Sequence, residues 1–134
     1  LKYDLQILQL MAEKTWFNIF HFHGKDIMTD LMPELPVNCI SWHDRRTFPS
    51  LSEARKLFPD KCLVGGINEK KTIMDGTLQE ITEEVYGAIE QTGGRKLIVA
   101  PGCVAPTRTP HMNYYAARMA VETYRTGIEV DFIA

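Results

Sequence analysis

The sequence predicts an α/β fold of four consecutive βα units, and two observations carry that expectation. Short apolar runs alternate with longer amphipathic ones, the pattern of parallel strands joined by helices that pack on the sheet. At 134 residues and 45% hydrophobic composition, the chain has enough apolar matter for one globular domain, 1–134, and no linker or low-complexity tract divides it.

The elements follow in order. Leu1, Leu5, Leu8 and Ala12 recur at helical spacing, so the sequence opens in mid-pattern, as a piece of a longer protein would. A strand over 17–23 comes next, then a short helix over 27–31 stopped near Pro33 and Pro36, because proline cannot continue a helix interior. The second strand, 37–42, runs into the polar loop His43-Asp44-Arg45-Arg46. Ser50 then caps a helix over 51–57, with Glu53 placed to complete a capping box, and Pro59 closes it. The third strand is 62–67. Its helix opens near Thr77, lays Leu78, Ile81, Val85, Ala88 and Ile89 along one face, and stops at Gly93-Gly94. The fourth strand, 97–100, meets a loop from Pro101 to Pro110, after which 112–124 repeats the helical pattern up to Gly127.

Composition excludes several classes of function. A formal charge of -2 provides no field for gripping a nucleic acid. No stretch approaches the roughly 20 apolar residues that cross a bilayer, and Leu1-Lys2-Tyr3-Asp4 lacks the regions of a signal peptide, so a cytoplasmic protein with no membrane partner is expected. The cysteines, Cys39, Cys62 and Cys103, are odd in number and widely spaced, which fits reduced thiols.

Four βα units suit either an open doubly wound sheet or half of an eight-unit barrel, and periodicity does not separate the two. In both, chemistry collects at the carboxyl ends of the strands, which here carry His21, His23, His43, Asp44, Asn68 and Cys103. In His21-Phe22-His23, strand alternation puts both imidazoles on one face, where two nitrogens can reach one ion, and Cys103 ends a later strand in a thiol. These three are the candidate metal ligands, with zinc the expected ion. The same residues also suit a plain strand mouth with Cys103 as a small filler, and spacing leaves both open. His43 and Asp44 are the candidate acid and base, and Trp42 and Asn68 are candidates for binding a small-molecule substrate. A solvated turn with Trp42 packed beneath it is the alternative. Gly65-Gly66 lacks the spacing of a phosphate loop and reads as a tight strand end.

Taken together, Phe20-His21-Phe22-His23-Gly24, Ile40-Ser41-Trp42, Gly65-Gly66-Ile67, Asp75-Gly76-Thr77, Gly93-Gly94-Arg95, Ala100-Pro101-Gly102-Cys103 and Thr109-Pro110-His111-Met112-Asn113 resemble the C-terminal portion of the uroporphyrinogen decarboxylase superfamily. The resemblance implies the C-terminal half of a (β/α)8 TIM barrel. It also implies one of two chemistries. Methyltransferase members carry His-x-Cys where this chain has His21-Phe22-His23, and a later Cys like Cys103; together these bind zinc, and the methyl donor is a corrinoid on a partner protein. Here His23 replaces the middle cysteine, which leaves a zinc ligand but less negative charge at the ion. Decarboxylase members need no metal and carry Gly-His-Gly near the last strand, where this chain has Pro101-Gly102-Cys103. Metal-dependent methyl transfer is therefore the first expectation and porphyrinogen decarboxylation the second. A third, of another class, is a non-catalytic half barrel that self-associates into a homo-oligomer through its open edges.

Overall fold

Strands that lie side by side in one direction need a crossover between each pair, and the chain supplies one each time. The computed structural model describes residues 2–126. Its elements are α1 (Lys2–Ala12), β1 (Ile19–His21), a 3-10 turn (Thr29–Leu31), β2 (Cys39–Ser41), α2 (Leu51–Leu57), β3 (Cys62–Ile67), α3 (Thr72–Asp75), α4 (Leu78–Thr92), β4 (Leu97–Pro101) and α5 (His111–Thr126). All four strands are parallel and stand in sequence order, β1-β2-β3-β4, as four successive units of a (β/α)8 barrel do. Leu1 and Gly127, two markers of the sequence pattern, lie outside the described residues.

Local chemistry explains the helices that form as expected. Ser50 accepts the Glu53 amide while the Glu53 side chain returns to the Ser50 amide, so α2 starts and ends at the expected residues. Thr77 and Glu80 make the same reciprocal cap on α4, and Gly93, at φ 64°, ends that helix in the left-handed conformation. Four segments depart from expectation, two of them strands: β1 keeps only Ile19–His21 of the expected 17–23, and β2 only Cys39–Ser41 of the expected 37–42. The helix expected over 27–31 is a single 3-10 turn whose cap residue, Met28, makes no side-chain cap, and so short a segment does not repay helix nucleation. The four-residue helix α3 follows β3, a connection the apolar periodicity does not announce.

Register places Phe20, Ile40, Leu63 and Leu97 in one row across the sheet. This row faces the helices and joins Leu51, Ala54, Phe58 and Ala88 in the larger core cluster. A second cluster, between β3, β4, α4 and α5, packs Ile67, Val85, Ile89 and Ala120. The neighbouring row, His21, Ser41, Val64 and Ile98, points to the other face.

Candidate metal centre

The ends of three strands build the site. Past the end of β1, the Phe22 amide still donates to Ser41 O at 2.8 Å, which prolongs the strand pairing by one residue. Phe22 is buried against the Phe20 ring, and the flanking His21 and His23 both turn to the opposite face. Past β2, Trp42 is fully buried and its indole N–H donates to Pro49 O at 2.8 Å, anchoring the far side of the loop. The Arg46 and Thr47 amides both donate to His43 O at 2.8 Å, so a tight turn holds His43 at the strand mouth. Past β4, the Gly102 amide donates to Ile67 O at 3.0 Å and delivers Cys103 to the same place.

The result is a convergent set of donors. One ligand atom from each of His21, His23, His43 and Cys103 lies within 4.8 Å of all the others. His43 Nε2 is 3.2 Å from His23 Nδ1, which is 4.0 Å from Cys103 Sγ. Three imidazole nitrogens and a sulfur are a donor set that suits zinc, so the residues present fit the expected ion. Sequence reasoning placed His21, His23 and Cys103 in this set. It assigned His43 to acid-base chemistry, and the structure brings His43 in among the donors.

Two further hydrogen bonds orient the imidazoles. His21 Nδ1 shares a 3.1 Å bond with Ser41 Oγ, its register partner on β2. His43 Nδ1 donates to Glu69 Oε1 at 2.9 Å, which leaves the Nε2 lone pair facing the other donors. Glu69 also pairs with the Arg46 guanidinium. Burial pushes the Glu69 carboxyl up, but its own backbone amide, Arg46 and His43 outweigh that and hold it below the usual range. Burial, then the neighbouring His43 and His23, lowers His21, which favours the neutral imidazole that binds metals.

Glu69, which bonds a candidate ligand, is the residue of the site that sequence reasoning passed over. The available signal was its place directly after β3, beside Asn68, which was chosen instead. Asn68 Oδ1 accepts the Lys70 and Lys71 amides at 3.0 Å, so its side chain is spent on shaping the turn. Trp42 belongs to the core rather than the mouth.

Asp44 is likewise turned inward. Both its oxygens accept the Gly66 amide at 3.1 Å, and burial pushes its carboxyl up to about 6. A Cβ on Gly65 would stand 2.4 Å from Asp44 Oδ1, and one on Gly102 would stand 2.9 Å from Trp42 O. The two glycines therefore permit the close approach of this loop to the ends of β3 and β4. The tight strand end read from Gly65-Gly66 has this physical basis.

The donors open onto a cavity of about 740 Å³ whose wall also includes Lys25, Arg46, Lys70 and Glu69. Among the described residues, no helix is long and apolar enough to cross a membrane.

Two comparisons place the chain among known proteins. The family described as Uroporphyrinogen decarboxylase (URO-D) matches residues 1–124. No curated protein sequence matches. Among solved structures, a methyltransferase from Methanosarcina mazei is similar, with a TM-score of 0.76 and 22% sequence identity over 90% of this chain and 35% of that one. This chain thus spans about a third of that methyltransferase's length, and the likeness is one of fold, as part of a larger barrel.

Proposed function

The chain belongs to the uroporphyrinogen decarboxylase family, and on that premise we propose that it is the metal-bearing part of a barrel enzyme that transfers methyl groups. Zinc would be held by His21, His23 and Cys103, with His43 beside them. The observation that carries this reading is the convergence of four donor atoms within 4.8 Å at the carboxyl ends of three strands, where barrel enzymes place their chemistry. When bound, zinc supplies Lewis acidity that favours a bound thiol as thiolate.

The chain's own residues have distinct tasks. Cys103 must release its proton to serve as a ligand, so a site holding metal binds it more weakly in acid. His21 and His43 enter as neutral imidazoles, each oriented through Nδ1, by Ser41 and Glu69. With Arg46 offset by Glu69, Lys25 and Lys70 leave the cavity wall a positive field suited to an anionic acceptor. With imidazole in place of a second thiolate, the centre carries more positive charge than a two-cysteine site, which makes a bound thiolate less nucleophilic. By the family resemblance, the methyl donor would be a corrinoid carried on a partner protein.

The deciding experiment is metal content by plasma mass spectrometry on tag-free protein, with His21→Ala, His23→Ala and Cys103→Ala alongside. Near-stoichiometric zinc in the parent, lost in the three variants, supports the reading and opens thiol- and corrinoid-dependent methyl-transfer assays. No metal after reconstitution under reducing conditions overturns it.

A second reading rests on the open sheet. Among the described residues β1 and β4 are unpaired at the sheet edges, and Ile19 and Ile98 are 53% and 41% exposed. Such a surface favours self-association, whatever the chemistry at the mouth.

A further inference from the structure

We infer that Glu69 is the positioning residue of the centre: it fixes His43 so that Nε2 faces the other donors, which makes His43 a fourth ligand and the centre one of four protein donors. This rests on the proposal that the donors hold a metal. Among the described residues Glu69 hydrogen-bonds only one of the four donors, His43, and it positions the centre through that bond.

Three observations carry the inference. Glu69 is 1% exposed, a place where a carboxylate is almost never found without a specific partner. Its Oε1 accepts from the His43 Nδ1–H and from the Arg46 guanidinium. Its Oε2 is buried with no hydrogen-bond partner among the described residues. Here the arrangement spends one oxygen to hold a single imidazole nitrogen, and Arg46 balances the charge. A carboxylate on the far nitrogen of a ligating histidine fixes the tautomer and raises the basicity of the nitrogen that faces the metal.

The consequence is a centre unlike the three-ligand site that His21, His23 and Cys103 alone would make. Three protein ligands leave a position open, whereas four fill a tetrahedral shell, so an acceptor thiol would enter only as a fifth ligand or by displacing one of the four. Ser41 on His21 and Glu69 on His43 then act in parallel, each holding the Nδ1 of one imidazole.

The test measures zinc affinity by chelator competition, and the visible spectrum of the cobalt-substituted protein, for the parent, Glu69→Gln, Glu69→Asp, His43→Ala and the double variant Glu69→Gln/His43→Ala. Glu69→Gln keeps the volume but loses the charge, and should weaken zinc binding about 10–100-fold. Glu69→Asp should recover part of that loss. The cobalt spectrum of Glu69→Gln should move toward that of His43→Ala, and Glu69→Gln should add nothing in the His43→Ala background, because its effect passes through that imidazole.

A purely structural Glu69 would shift the melting temperature of the metal-free protein while leaving the cobalt spectrum as in the parent. Parental zinc affinity in Glu69→Gln, or an equal loss with and without His43, overturns the inference and leaves the metal centre standing. A parent that binds no zinc overturns both. If Glu69→Gln does not fold, the spectra of Glu69→Asp and His43→Ala decide, since parental spectra in both would exclude His43 as a ligand.

Discussion

On the helix-facing side of the sheet, the row Phe20, Ile40, Leu63 and Leu97 crosses all four strands into a packed core, whereas the adjacent row, His21, Ser41, Val64 and Ile98, faces away from the helices. Ile40 and Leu63 are fully buried, while Ile98 in the second row is 41% exposed. The two rows share one backbone and one register, so the difference lies in what covers each side. Helices α2 and α4 close the first, and the second is the side that the remaining strands of a barrel would enclose. Stability is thus concentrated on one face and the candidate metal donors at the mouth of the other, which separates changes that unfold the protein from changes that remove a metal.

The sharpest contrast comes from cutting into the covered row. Leu63→Ala removes a fully buried side chain and should cost about 2–5 kcal/mol, read as a lower urea midpoint with unchanged slope. A loss below about 1 kcal/mol would mean that the core is not concentrated on this face.

The metal should act on the other side by a different route. Zinc at 100 times its dissociation constant should stabilise the parent by about 2.7 kcal/mol, a gain that a chelator reverses and that His23→Ala lacks. Differential scanning with and without zinc checks this. An equal gain in His23→Ala would move the binding site away from the strand mouth.

The covered face was far more legible in the sequence than the mouth. The capping pairs Ser50 with Glu53 and Thr77 with Glu80 are local, and strand β3 matches the expected 62–67 because an apolar run needs no distant partner to be recognised. The His21 and His23 pairing follows from alternation within one strand. The Glu69 to His43 bond joins positions 26 apart, on the loops after β3 and β2, and only the parallel stacking of those strands brings them together. The roles expected of Trp42 and Asn68 met a related obstacle, since a residue's place in sequence beside a strand end does not say whether its side chain turns to the cavity, the core or its own turn.

Cys39 sharpens the comparison because it lies on the uncovered face, beside Cys62 in register, yet is fully buried. Burial, and then the Cys62 thiol, push the Cys39 thiol up to about 12. From about pH 9 to about pH 12 the unfolded chain therefore loses a proton that the folded chain keeps. Stability should fall with rising pH in that window, by at most about 1.4 kcal/mol per pH unit from this group. Cys39→Ala should flatten the slope in urea titrations run under reducing conditions. An unchanged slope would mean that this thiol ionises as readily folded as unfolded.

The smallest expected effect on stability is the most informative about the open side. Ile98→Thr places a hydroxyl where the side chain already meets water, keeps β-branching and therefore strand preference, and should change the urea midpoint by no more than about 0.5 kcal/mol. Its effect on association is a separate quantity. If copies of the chain cover one another's exposed rows, Ile98→Thr together with Ile19→Thr should shift sedimentation toward the monomer without loss of secondary structure, because the surface removed from water on assembly is then less apolar. A stability loss of several kcal/mol in dilute protein would mean instead that Ile98 is packed within a single chain. A parent that sediments as a monomer at high concentration would leave the contrast between the two faces intact and remove self-association as the means by which the open one is covered.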